Sequence, residues 1–305
     1  ASSSGRWADL VNDLQSDPVI REHFQFWWFS YTTGNPTPFS ALRLRTAIGE
    51  AVHELDPQGK DPALRQIVLI GHSQGGLLAK MLVIDSGSRL WNAMSNKPLD
   101  QLQVSAQTRD LLRRAAFVTP QPDVRRVIFI ATPQHGSFVA GSTIGQLAGR
   151  LVTLPTSVAT ALGEAVGGNP DAVSLSPGSA GFCSVWSMTP DNPALQALAA
   201  TPISPNVAAH SIIAVQGDGP IENGDDGVVS YKSAHIDGVA SELVVRSGHS
   251  VQSNPHTVAE VRRILLLHLA QACPQGCVPA TTTDHPPAVS GPIAEVQQAT
   301  TNTRR

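Results

Sequence analysis

The sequence predicts an α/β fold, a mostly parallel sheet with helices on both faces, and three observations carry that prediction. Five apolar runs rich in β-branched or aromatic residues occupy positions 24–31, 66–70, 126–130, 211–215 and 242–246. Several of them are apolar without alternation, as a strand buried on both faces of a parallel sheet requires. Stretches of helical periodicity lie between the runs, and strand–helix alternation is what covers a parallel sheet on both sides. At 305 residues and 41% hydrophobic content, the chain has enough apolar material for one large core.

The elements follow in order. A first helix is expected around residues 7–14. The run at 24–31 follows, and its Trp27-Trp28 pair reads as buried strand aromatics ahead of the alternative, a membrane-facing or substrate-facing patch. Leu44, Ile48, Val52 and Leu55 form the stripe of a second helix. The strand at 66–70 leads into a helical run at 77–85 that stops near Gly87. Beyond the strand at 126–130 lies an insertion of small residues, about 137–209, too long for a simple crossover. It reads as a helical cap, with Leu151, Leu154 and Val158 as apolar positions, or as extra helices packed on the sheet. The last helix carries Val258, Val261, Leu265 and Leu269 on one stripe. Asn254 can cap it, Pro255 suits its first turn, and Pro274 closes it. These elements define a domain over 1–277. The tail at 278–305 is rich in Thr, Pro, Ala and Gln, with too little apolar content to offset ordering entropy, and is expected to be disordered.

A net charge of −3 and the lack of a basic run argue against a nucleic-acid partner. The apolar stretches fall far short of the ~20 residues a membrane-spanning helix needs. Three cysteines exclude a disulfide scaffold. Cys273 and Cys277 could pair with each other, one of them could reach Cys183, or all three could remain thiols; no second ligand pair supports zinc, and no cofactor is expected.

The chemistry concentrates where the strand at 66–70 runs into Gly71-His72-Ser73-Gln74-Gly75 and then a helix. Strand, G-x-S-x-G and helix together describe a sharp turn that lifts a serine hydroxyl into the open, with glycines on either side because a Cβ would strike neighbouring backbone. Ser73 is therefore the candidate nucleophile. A serine hydroxyl needs a histidine to take its proton and a carboxylate to orient that histidine. Asp226, in the turn-rich segment Asn223-Gly224-Asp225-Asp226-Gly227, and His249, just after the run at 242–246, occupy loops that follow strands. Asp225 and Asp218 are rivals for the acid, and His256 for the base. His72 reads as a residue that packs or tunes the site. A solvated turn or a calcium-binding loop is the plainer reading of the Asp-Gly segment.

These residues resemble bacterial α/β-hydrolases of the lipase and esterase type, similar to the GPI inositol-deacylase-like branch. The resemblance spans most of 7–272. Besides 71–75 it rests on Arg126-Val127-Ile128-Phe129-Ile130-Ala131-Thr132-Pro133 with His135-Gly136-Ser137, on Asp226-Gly227-Val228-Val229, and on His249-Ser250. It implies an α/β-hydrolase fold and ester hydrolysis, and it supports Asp226 over Asp225 because the family's acid directly precedes the glycine.

The implied reaction is acyl transfer to water through a covalent intermediate on Ser73, with a small-molecule ester or lipid as substrate. Its oxyanion needs two N–H donors. The Gln74 amide is the first. The second comes in this fold from a loop after an early strand, often marked His-Gly, and the expectation is that this strand and loop lie upstream of residue 1. His135-Gly136 is the substitute within the chain. Two other readings remain: an acyltransferase using the same triad, and a non-catalytic binding module of the same fold.

Overall fold

The computed structural model describes residues 4–32, 35–137, 155–172 and 188–273. Among the described residues four strands, β1 (Ile67–His72), β2 (Val124–Ile130), β3 (Ala208–Val215) and β4 (Ser241–Arg246), form one sheet in the order β1-β2-β3-β4, and all three pairings are parallel. The helices are α1 (Ala8–Ser16), α2 (Pro18–His23), α3 (Thr37–Leu55), α4 (Gln74–Met81), α5 (Arg89–Met94), α6 (Ala106–Ala116), α7 (Thr156–Gly167), α8 (Pro193–Ala200), α9 (Tyr231–Ala234) and α10 (Pro255–Ala272).

Parallel strands need both faces covered, and the side chains of β2 show how this is done. Ile128 and Ile130 face a core with Leu10 and Leu14 of α1, Ile20 of α2, and Val261, Ile264 and Leu265 of α10. Val127 and Phe129 face the opposite layer with Ala79 and Val83. Beyond them, Leu77, Leu78 and Met81 of α4 pack with Ile48 of α3 and with Leu195 and Leu198 of α8. The expected start of α10 is present: the Asn254 carboxamide oxygen accepts from the His256 amide, and Pro255 opens the helix. The helix expected at 77–85 begins earlier and ends sooner, at Gln74–Met81.

Residues 24–31 depart from expectation. They do not form a strand, and none of the backbone hydrogen bonds outside the helices and strands joins 25–31 to β1. Their rings still pack: Phe24 and Phe26 join the cluster holding Val68 and Ile70, and Phe29 and Tyr31 the one holding Ile67 and Leu69. Burial of rings without a ladder fixes where the segment lies but does not make it a strand. Among the described residues β1 is thus an edge strand, and Trp27 and Trp28, expected to be buried, are 40% and 45% exposed.

Of the insertion at 137–209, residues 138–154 and 173–187, with Leu151, Leu154 and Cys183, lie outside the described residues. Its described helices pack on other helices. Val158, Ala161 and Ala165 of α7 are buried, with Val158 and Ala165 in a cluster that includes Leu112 of α6 and Trp91 of α5. The tail at 278–305 also lies outside the described residues, as do Pro274 and Cys277. Cys273, at the end of α10, is disulfide-bonded, which removes the free-thiol reading for that residue. No helix among the described residues is long and apolar enough to cross a membrane.

One buried charge ties the sheet's helix layer together. Lys80 of α4 is 2% exposed, and its Nζ donates to the Ala199 carbonyl, 3.1 Å away in the last turn of α8. The contact satisfies one of the carbonyls that every helix leaves open at its C-terminus. Burial brings the Lys80 ammonium down to about 8 from its usual 10.5. Between those two values the unfolded chain binds more protons than the folded one, so stability rises with pH across that window. The wild-type melting temperature is therefore expected to climb between pH 8 and 10 relative to Lys80→Met, measured side by side; parallel profiles would refute this.

Candidate active site

The site is built where β1 becomes α4. Ser73 sits between them with φ 55° and ψ −128°, a positive φ that only tight packing holds for a residue with a side chain. The packing is visible around the glycines. A Cβ at Gly71 would lie 2.6 Å from the backbone of Gly75 and Gly76, and one at Gly76 would overlap Thr132, with Oγ1 1.9 Å away. Gly75 differs from the sequence expectation. A Cβ there meets nothing nearer than the Tyr31 hydroxyl at 3.8 Å, so the second glycine of the motif is not sterically required, whereas Gly76, outside the motif, is.

The loops after β3 and β4 bring the other two residues to this turn. Ser73 Oγ lies 2.9 Å from His249 Nε2, and His249 Nδ1 lies 2.8 Å from Asp226 Oδ2. A carboxylate accepts, so Nδ1 carries the proton and Nε2 is free to accept from the serine hydroxyl. Asp226 is 2% exposed, and its other oxygen, Oδ1, accepts from the amides of Val228 and Val229 at 2.8 and 2.7 Å. The carboxylate is thus held at both oxygens. The rivals lie elsewhere. Asp225 is exposed and its Oδ1 accepts from the Gly227 amide; Asp218 is exposed; and His256 is exposed in the first turn of α10.

Two further residues organise the site, one missed in the sequence and one seen only as a neighbour. Gln216, at the end of β3, donates from Nε2 to the Asp226 carbonyl at 2.7 Å, and its backbone amide donates to the Asp225 carbonyl. The same carboxamide lies about 3 Å from where Cβ atoms of Gly227 and Gly248 would be, which explains small residues beside both the acid and the histidine. A lone glutamine after a strand carries no motif, so no sequence signal pointed to it. His72, at the end of β1, donates from Nε2 to the His249 carbonyl at 2.7 Å. Burial first of all brings its imidazole down to about 4, with the neighbouring His249 and Arg6 charges acting in the same direction.

The amides expected to serve as oxyanion donors divide sharply. The Gln74 amide, at the first position of α4, donates to no backbone group among the described residues and points from a helix N-terminus. The substitute considered at His135-Gly136 is not free. His135 N donates to the Ser233 carbonyl, Gly136 N to that of Pro133, and Ser137 N to that of Met188. A shallow cleft of about 550 Å³ passes Gln216, Asp226, Val228, Ser247, His249 and Ser250. Among the described residues no group of three His, Cys, Asp or Glu side chains could hold a metal ion.

No protein-family model and no curated protein matches the chain. Among solved structures it is similar to the Bacillus licheniformis lipase BlEst2 in mature form, at 13% identity over 87% of each chain with a TM-score of 0.47. It is also similar to the propeptide form of that lipase, at 15% identity over 93% of this chain and 50% of that one with a TM-score of 0.47. A third is the metagenomic carboxyl esterase MGS0156, at 17% identity over 85% and 73% of the two chains with a TM-score of 0.41. The GPI inositol-deacylase-like branch is not among these. The strand–serine–helix unit on a parallel sheet covered on both faces gives the chain an α/β-hydrolase fold.

The two glycines of the motif should respond differently to a methyl group. Gly71→Ala is expected to lower unfolding free energy by on the order of 3 kcal/mol or more, because the clash is with backbone. Gly75→Ala should be neutral or slightly stabilising, since alanine favours the helix. Urea denaturation of both variants measures this, and equal losses would contradict the packing described.

Proposed function

We propose that this chain is a serine hydrolase that cleaves carboxylic esters, with Ser73 as nucleophile, His249 as general base and acid, and Asp226 as the orienting carboxylate. The observation that carries the reading is the unbroken hydrogen-bonded line from Ser73 Oγ through both nitrogens of His249 to Asp226. That arrangement is recognised by geometry and roles and recurs on unrelated folds.

The steps follow from the positions. His249 Nε2 takes the hydroxyl proton as Ser73 Oγ adds to the ester carbonyl. Asp226, held by the amides of Val228 and Val229, keeps His249 in the Nδ1–H tautomer and stabilises the imidazolium as it forms. The Gln74 amide donates to the oxyanion. His249 returns the proton to the leaving alcohol, and water, activated by the same nitrogen, releases the acid from Ser73. The substrate is a small-molecule ester or lipid, with the insertion at 137–209 as a cap that would govern acyl length.

Hydrolysis of p-nitrophenyl esters of graded acyl length is the direct test, alongside labelling by a fluorophosphonate. Both are expected for the wild type and neither for Ser73→Ala. Asp226→Asn should keep the fold but lower turnover by about 10⁴-fold, because an amide in that place favours the wrong tautomer. A folded wild-type protein that neither hydrolyses nor labels would overturn the proposal. Product analysis with an added alcohol distinguishes hydrolysis from transfer to another acceptor.

A further inference from the structure

The base must stay in line with the nucleophile, and each hydrogen bond that could hold it there can be assigned to a partner. The His249 side chain is fixed by Asp226 and Ser73. Its backbone is held separately. The His249 amide donates to the Asp226 carbonyl at 3.0 Å, and the His249 carbonyl accepts from His72 Nε2 at 2.7 Å. His72 is the residue before Ser73, so that second bond joins the nucleophile's own strand to the loop bearing the base.

We infer that His72 is a positioning residue for His249, tying the base's backbone to the end of β1 as a neutral Nε2–H donor; the inference rests on the function proposed above. A carbonyl can only accept, so the bond itself requires a proton on His72 Nε2. The ring lies tilted against that of His249, with centroids 4.9 Å apart, and Trp7 meets it edge-on at 6.4 Å. Arg6, whose guanidinium donates to Ser250 Oγ, closes the same region and leaves His249 and Asp226 as the other titratable groups facing His72. In this setting a second cation beside His249 would oppose the imidazolium that forms during turnover, at a separation where the repulsion is substantial. A neutral His72 holds the loop without that penalty. Exchange of the imidazole for another neutral donor of similar reach should therefore preserve function, and loss of the donor should not.

The test compares His72→Phe with His72→Gln, whose amide nitrogen can reach the same carbonyl. His72→Phe should lower kcat about 10- to 100-fold with KM little changed and slow fluorophosphonate labelling in parallel, while His72→Gln recovers most of the loss. Unchanged kcat in His72→Phe, or a glutamine variant no better than phenylalanine, would overturn the role. A readout on the wild type does not depend on the variants folding: ¹⁵N NMR of the histidine rings should show His72 as the neutral Nε2–H tautomer from pH 5 to 8. A Nδ1–H tautomer, or titration near 6.5, would also overturn it. Failure of the functional proposal is a different result, since wild type and Ser73→Ala would then be alike in both hydrolysis and labelling.

Discussion

The backbone at Ser73 is the constraint on which the site depends. A residue with a side chain is held at positive φ between a strand and a helix, and strain of that kind persists only where surrounding contacts over-determine it. Here they do. Gly71 lies against the backbone of Gly75 and Gly76, Gly76 lies against Thr132 from the end of β2, and the Ser73 amide donates to the Ile130 carbonyl. The turn is therefore clamped by its own helix on one side and by the neighbouring strand on the other. Its consequence is chemical: the hydroxyl projects from the C-terminal edge of the sheet, and the Gln74 amide that opens α4 has no backbone acceptor among the described residues.

The two partner residues come from loops more than 150 positions further along the chain, and a single carbonyl organises them. The Asp226 carbonyl accepts from Gln216 Nε2 and from the His249 amide, so the end of β3, Asp226 and His249 converge on one oxygen. Preorganisation of this kind matters because a positioned base contributes only when it meets the hydroxyl at hydrogen-bond distance. The glycines flanking the acid and preceding the histidine then have a packing explanation, since the Gln216 carboxamide occupies the space their side chains would need.

Burial sets the character of the charged and titratable groups around this frame. Lys80 is drawn into the interface between α4 and α8 and held by a helix-terminal carbonyl, and His72 is kept neutral beside His249. In both cases desolvation disfavours the cation. At Lys80 the result is a cost to stability below its shifted pKa. At His72 it keeps a donor in place without adding charge next to His249.

Local pattern was enough for several features, because their physics is local. The strands at 66–70, 126–130, 211–215 and 242–246 showed as apolar runs, the cap at Asn254 as a residue type beside a proline, and the Ser73 turn as glycine spacing between a strand and a helix. Tertiary structure decided the rest. Whether 24–31 formed a strand depended on a neighbour to pair with, and rings alone could pack without one, leaving Trp27 and Trp28 in solvent. The bond from Asp226 to His249, the engagement of the His135, Gly136 and Ser137 amides, and the parts played by Gln216 and His72 depend on distances between residues remote in sequence. Residue type and spacing determine which chemistry a chain can offer, but a hydrogen bond exists only at a distance, and only the folded arrangement of strands and loops sets that distance.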